Sequence, residues 1–290
     1  MPVKPLKESF IYLKKNPILY FPDLVMAIII SVGLYFIYIY TGAGDFFVLL
    51  QTAETVSLDL FTSYLNENLK EIIISGLTFC FFSFIFGVGV IIVKFTMIRQ
   101  MLSGKKVSLV SALKEKEGLF WSIVLLRILV YLLSLVAIAL VALVGFGLYF
   151  LFFSFNENLA MRLGLGIAIP FALVIFIGIK LALFFRYPVM FLKHIKKPLH
   201  ILKESYTLLK NSPLFVLKTW FVVILLSLIF WAISYLLETI VRFGTFFISV
   251  TTFALIIGSV WGVMNILLNI TIDLWTTIYV FLQYKKKTKE

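Results

Sequence analysis

Apolar residues run along this chain in six long blocks, with approximate limits 18–41, 72–98, 119–153, 163–192, 214–241 and 245–283. Each exceeds the roughly 20 residues that carry a helix across about 30 Å of hydrocarbon. The blocks are continuously apolar rather than alternating, which predicts membrane-spanning helices and excludes the strands of a barrel. The third and last blocks are longer than a crossing requires and are expected to tilt, bend or emerge. Gly258, Gly262, Asn265 and Asn269 make the last block the place where an interruption is expected.

Between the blocks the pattern repeats. "LKESFIYLKKNP" at 6–17 returns as "LKESYTLLKNSP" at 202–213, with seven of twelve letters unchanged at an offset of 196. A fainter echo, "VSLVSALKEKEGLF", stands at 107–120. Leu6, Phe10 and Leu13 fall on one helical face of the first copy, and Leu199, Leu202, Tyr206 and Leu209 on one face of the second. Short, basic segments that are apolar on one side suit helices lying in a membrane interface. Pro17 and Pro213 interrupt the helix before the next span, Pro198 suits a first helical position, Ser108 a cap and Gly118 a stop.

On the far side "NENL" occurs at 66–69 and 156–159, and "SYLNEN" at 63–68 resembles "SYLLET" at 234–239. Glu67, Glu157 and Glu238 thus take equivalent places, each followed by a cation: Lys70, Arg162 or Arg242. The whole reads as an all-α polytopic membrane protein of six transmembrane helices, forming a single membrane domain over 1–290. It divides into three tandem two-helix units, 1–104, 105–197 and 198–290, each led by an interfacial amphipathic helix. Units that all start on one side are parallel repeats, unlike the inverted pair of many transporters.

Charge sets the orientation. One set of loops collects Lys4, Lys7, Lys14, Lys15, Arg99, Lys105, Lys106, Lys114, Lys116, Arg186, Lys193, Lys196, Lys197, Lys203, Lys210, Lys285, Lys286, Lys287 and Lys289, whereas the opposite set holds only Lys70, Arg162 and Arg242 beside seven acids. The positive-inside rule then places both termini in the cytoplasm of a cell membrane protein. The net charge of +12 lies at the ends of apolar runs, which argues against nucleic acid as a partner. The composition agrees, with 62% hydrophobic residues, 14% charged residues and a mean hydropathy of +1.07. A soluble domain carries about 25% charged residues. The one cysteine, Cys80, lies inside an apolar run and forms no internal disulfide. The first apolar block is too long for a cleaved signal sequence and reads as the first span.

Ionisable groups inside spans cost about 2.5–3.5 kcal/mol each to insert, so they mark sites or networks. Here they are Asp23, Lys94, Arg127, Lys180 and Asp273, all toward the basic side, with Arg186 at the boundary. Lys180 and Asp273 are the deepest by residue count, and a pairing between them is expected. Three cations against two carboxylates leave an excess of +1. Two readings stay open. One is an inward-facing positive cavity for a phosphate headgroup or another anion. The other is a structural ion network with snorkelling lysines. The outer acids Glu67, Glu157 and Glu238 form a cation-attracting ring in one reading; in the other, Asn66 and Asn156 cap the helices that follow. Gly258 and Gly262 match a G-x-x-x-G packing motif, with Asn265 and Asn269 on the same face. His194 and His200 have no third ligand nearby for a metal, and no cofactor is expected. The nucleophile-elbow, zinc-protease and P-loop motifs are missing, and no enzyme activity is expected.

The run "FRYPVMFLKHIKKPLHILKESYTLLKNSPLFVLKTW" at 185–220 and the closing "TTIYVFLQYKKKTK" carry a resemblance. They are similar to a six-span membrane-domain family found attached to some bacterial glycerophosphodiester phosphodiesterases, with free-standing bacterial and archaeal relatives. That family places a Ser-aromatic-x-Leu motif before its fifth span, matched here by Ser205-Tyr206-Thr207-Leu208. The resemblance implies a membrane protein near lipid metabolism or export. No phosphodiesterase domain is expected after the last span, so the hydrolase activity is not carried over.

The sequence thus predicts a non-enzymatic protein that binds or moves a membrane lipid or other anionic amphiphile. Anionic headgroups are the expected partner, met by the basic leading helices. The alternatives are a structural or accessory subunit docking a protein partner through those helices, and an ion channel lined by the outer acids.

Overall fold

The computed structural model describes residues 3–52, 58–114, 118–153, 157–246 and 251–288. It is 92% helical, and the described residues hold no strand. The protein is an all-α polytopic membrane protein whose six apolar helical stretches are Pro17–Tyr40, Phe61–Leu102, Phe120–Phe153, Gly164–Leu192, Pro213–Phe243 and Ile257–Lys287.

The elements follow the sequence pattern closely. Helix α1 (Val3–Lys15) is followed by a 3-10 turn at Pro17–Tyr20 and by α2 (Phe21–Tyr40). A short α3 (Ala43–Thr52) precedes α4 (Leu58–Leu102). Then come α5 (Leu109–Lys114), α6 (Phe120–Phe153) and α7 (Glu157–Ala182). The chain continues through α8 (Arg186–Leu192), α9 (Pro198–Asn211), α10 (Pro213–Phe246) and α11 (Thr251–Lys287).

Three hairpins form the body: α2 packs on α4, α6 on α7, and α10 on α11. The short leading helices pack on the returning spans of other hairpins: α1 on α11, α5 on α4, and α9 on α8. Glu8 pairs with Lys286 at 2.8 Å, so the two termini meet at one end, the basic end. The core sits there. Its largest fully buried side chains include Tyr279, Phe185, Phe191, Phe281, Met97 and Leu126. Phe95 ties it together, with ring centroids 4.7 Å from Tyr187, 5.4 Å from Phe191 and 5.3 Å from Phe281. Such pairs contribute about 0.5–1.5 kcal/mol each beyond their burial. Toward the opposite end the spans turn large apolar side chains outward, as at Leu77, Leu143, Phe150 and Val174. In lipid those faces need no protein cover, so the fold concentrates its packing where the leading helices dock.

Two expectations about helix continuity change. The last block is not interrupted: α11 runs unbroken through Gly258, Gly262, Asn265 and Asn269. Its Gly258 and Gly262 face open space with nothing within 4 Å of a Cβ, so they make no close crossing. Asn265 does bond across helices, accepting from the Ser234 hydroxyl at 2.9 Å. The break lies instead between α7 and α8, where the chain turns over Leu183–Phe185. That turn diverts the Arg186 N–H to the Leu183 carbonyl (3.2 Å) and leaves the Ala182 carbonyl without its helical donor. Ser205 of α9, 1% exposed, donates its hydroxyl there at 2.6 Å. Ser9, its counterpart in the first copy of the repeated phrase, is fully buried and accepts the Trp275 indole N–H at 2.9 Å. The repeated serine therefore pins a leading helix to another hairpin in both copies.

The buried face of α9 also differs from the expected one. Ile201 and Ser205 are buried with Leu202 and Leu209 packed beside them, whereas Leu199 and Tyr206 are 71% and 55% exposed. The helix is apolar on two sides, one spent on the core and one left free. At the acidic end, α4 starts at Leu58, so Asn66 and Glu67 lie inside a helix and Asn66 caps nothing. Leu, Glu and Lys are good helix formers and extend the span past its apolar part.

Candidate functional site

Of the six inner residues singled out by the sequence, three meet. Asp23 lies in the first turn of α2, and Lys94 and Asp273 lie in α4 and α11. The Lys94 ammonium, 6% exposed, stands 2.8 Å from an Asp23 carboxylate oxygen and also pairs with Asp273. The group joins the first and last hairpins. Two carboxylates around one ammonium make its formal charge −1, opposite to the positive excess expected. The expected Lys180–Asp273 pairing is replaced by Lys94–Asp273, because α11 packs on α4 and α2. Lys180 lies in the last turn of α7, exposed, and no described side chain pairs with it.

Arg127 stands apart. Its guanidinium lies over the Phe84 ring at 4.7 Å and reaches the Phe84 carbonyl and the Tyr131 hydroxyl at 3.4 Å. Arg186 lies over the Tyr187 ring at 4.7 Å and donates to the Leu183 carbonyl at 3.2 Å. The five intramembrane charges therefore do not line one cavity. Lone cations on aromatic faces are satisfied locally, at about 0.5–2 kcal/mol each.

The outer acids do not form a ring among the described residues. Glu67 accepts from the Ser63 hydroxyl (3.0 Å) one turn away, and Glu238 pairs with Arg242 of its own helix at 2.6 Å. The Glu157 side chain lies outside the described residues.

A positive site does exist, at the surface of the basic end. A cleft of about 710 Å³ is lined by Arg99, Lys105, Lys106, Lys114, Lys196 and His194, and no carboxylate belongs to its described lining. Its walls are set by backbone geometry. Helix α4 ends with the Gly104 N–H bonded to the Met101 carbonyl (3.1 Å) and the Lys105 N–H to the Gln100 carbonyl (3.0 Å). That double closure needs a left-handed residue, supplied by Gly104 at φ +71°. It turns Lys105 and Lys106 back toward the helix end. Gln100, 6% exposed, then fixes α5: its carbonyl accepts the Ser108 N–H at 3.1 Å and its amide donates to the Ser111 hydroxyl at 2.8 Å. Lys114 is thereby held on the rim. From the opposite wall His194 contacts Arg99 at 3.2 Å between Nδ1 and Nη1, and Lys196 reaches across to Gly118.

Beside the cleft, Lys193 and Glu204 pair at 2.6 Å. Their hydrogen bond holds the Glu204 carboxyl below its ordinary range and raises the Lys193 ammonium above its own. Lys193 is thus occupied, while Lys105, Lys106, Lys114 and Lys196 line the cleft together with Arg99. Crowded cations repel one another, so the cleft carries a positive potential. In the sequence Lys114 belongs to a basic leading helix expected to meet anionic headgroups, whereas Arg99, Lys105, Lys106 and Lys196 mark topology. The signal available was their density in two neighbouring loops; that the loops converge was not legible.

Comparison with models of known protein families, with curated proteins and with solved structures finds no match to this chain.

Proposed function

We propose that this protein is a non-enzymatic integral membrane protein that binds an anionic amphiphile by its phosphate-type headgroup. The binding site is the basic cleft, which faces the cytoplasm in the orientation that the positive-inside rule favours. The observation that carries the reading is the convergence of Arg99, Lys105, Lys106, Lys114 and Lys196 on one cleft whose described lining holds no acid. The cleft lies at the basic ends of the apolar stretches that close at Leu102 and Leu192. Each Lys or Arg near an anionic surface contributes about 1 kcal/mol. The soft resemblance to the six-span family agrees with a lipid ligand. The packing of α1 on α11, α5 on α4 and α9 on α8 agrees with an origin from three tandem units.

Docking of a protein partner is the second reading, favoured by the exposed apolar side of α9 at Leu199 and Tyr206. The channel reading gains nothing from Glu238, which pairs with Arg242 of its own helix.

Native mass spectrometry of the protein extracted from its own membranes tests the proposal. A phosphate-bearing lipid is expected to accompany the wild type and Lys180→Ala. It is expected to be lost from the triple variant Lys105→Gln, Lys106→Gln, Lys196→Gln. Equal retention by the triple variant, or a stoichiometric protein in place of lipid, overturns it.

A further inference from the structure

Helix α5 separates two cavities of opposite character. Its Ser111 and Lys114 line the basic cleft, and its Leu109 and Leu113 line an apolar groove of about 260 Å³. At 100° per residue these pairs lie on different sides of the helix. The division continues into the next span, where Leu119 belongs to the cleft and its neighbour Phe120 to the groove. The groove is walled by Val25 and Ile29 of α2 and by Val90 and Val93 of α4. Cleft and groove thus share helix α5 and the pair Leu119 and Phe120 at the start of the next span. One lies beyond the ends of the spans and the other runs along them.

We infer that the ligand of the cleft is held by its chain as well as by its charge. The headgroup oxyanion sits among Lys105, Lys106, Lys114 and Lys196, and one acyl chain lies in the groove between α2 and α4. The inference rests on the preceding proposal and adds the chemical class: an acylated phosphate ester, not a free phosphate. Charge complementarity selects the occupant, because a zwitterionic lipid would place its own cation among the lysines. A soluble anion would leave the groove to bulk lipid.

Purified protein in a neutral detergent is titrated with dioleoyl phosphatidylglycerol, dioleoyl phosphatidylcholine and glycerol 3-phosphate, with bound ligand read by native mass spectrometry. Phosphatidylglycerol is expected to bind about tenfold more tightly than either of the others. Val90→Phe, which fills the groove from α4, is expected to abolish the preference over glycerol 3-phosphate and to leave the preference over phosphatidylcholine; Val25→Phe, from α2, does the same if the first variant misfolds. Lys106→Gln with Lys196→Gln weakens every anionic ligand. If phosphatidylglycerol binds, depends on the lysines and ignores both groove variants, the inference falls while the proposed function stands. If glycerol 3-phosphate binds as tightly as phosphatidylglycerol, the cleft takes free anions and the inference falls. If neither anion binds, both fall.

Discussion

Replacing Lys94 by methionine removes the one cation between Asp23 and Asp273. The 2.8 Å contact to Asp23 corresponds to about 6 kcal/mol of attraction at an effective dielectric of 20. Desolvation of several kcal/mol per ion offsets much of this in the wild type. The variant keeps the desolvation cost of the Asp23 carboxylate, only 16% exposed, and adds its repulsion from Asp273. A loss of about 3–5 kcal/mol is expected. Asp273 differs, because its removal leaves Lys94 and Asp23 as a neutral one-to-one pair. Asp273→Asn should cost less than Lys94→Met. The triple variant Lys94→Met, Asp23→Asn, Asp273→Asn holds no uncompensated charge and should regain most of the loss. The assay is reversible unfolding in mixed micelles followed by tryptophan fluorescence. Lys94→Met within about 1 kcal/mol of wild type, or no recovery in the triple variant, would refute the view that this group holds the first and last hairpins together.

Ser205→Ala leaves the half-buried Ala182 carbonyl without a donor and should cost about 1–3 kcal/mol in the same assay. Ser9→Ala should cost less, because the Trp275 indole keeps the Leu6 carbonyl at 3.2 Å as a second acceptor. Gly33→Ala would put a Cβ 2.5 Å from the Phe79 ring where α2 crosses α4, and a loss of about 1–3 kcal/mol is expected. Gly262→Ala meets nothing within 4 Å and should be neutral or stabilising by up to about 1 kcal/mol, reversing the order a G-x-x-x-G motif would suggest. The Lys193–Glu204 pair sets a pH window. Glu204 is lowered, so its contribution is present above the ordinary glutamate range and fades as pH falls through its depressed value. Lys193 is raised, so its contribution is present below the ordinary lysine range and fades as pH rises through its elevated value. Both side chains are about one-third exposed or more, which limits the effect to about 0–1 kcal/mol. The melting difference between wild type and Glu204→Gln should be flat across neutral pH and vanish in strong acid; a difference persisting there would contradict the assignment.

The six spans, their limits near Pro17, Phe120 and Pro213 and the leading helices at the repeated phrase were all legible in the sequence. They depend on local facts: the length of apolar runs against a membrane's thickness, proline's missing N–H, and the one-sided pattern of 6–17 and 202–213. Which charges meet was not legible. Depth along a helix is a local count, but the partner of Asp273 depends on which helix stands beside α11 and on how each is rotated. Lys180 matched in depth and faces away, whereas Lys94 lies on the packed side. The helix break at Leu183–Phe185 precedes Pro188, which lacks the N–H that would bond the Phe184 carbonyl, but local sequence does not show that Ser205 of α9 satisfies the Ala182 carbonyl freed there. The basic cleft was visible only as scattered lysines. Gly104, Gln100 and Lys196 turn two loops toward each other, and that convergence is a property of the packed structure because long-range contacts, unlike hydropathy, are not written in neighbouring residues.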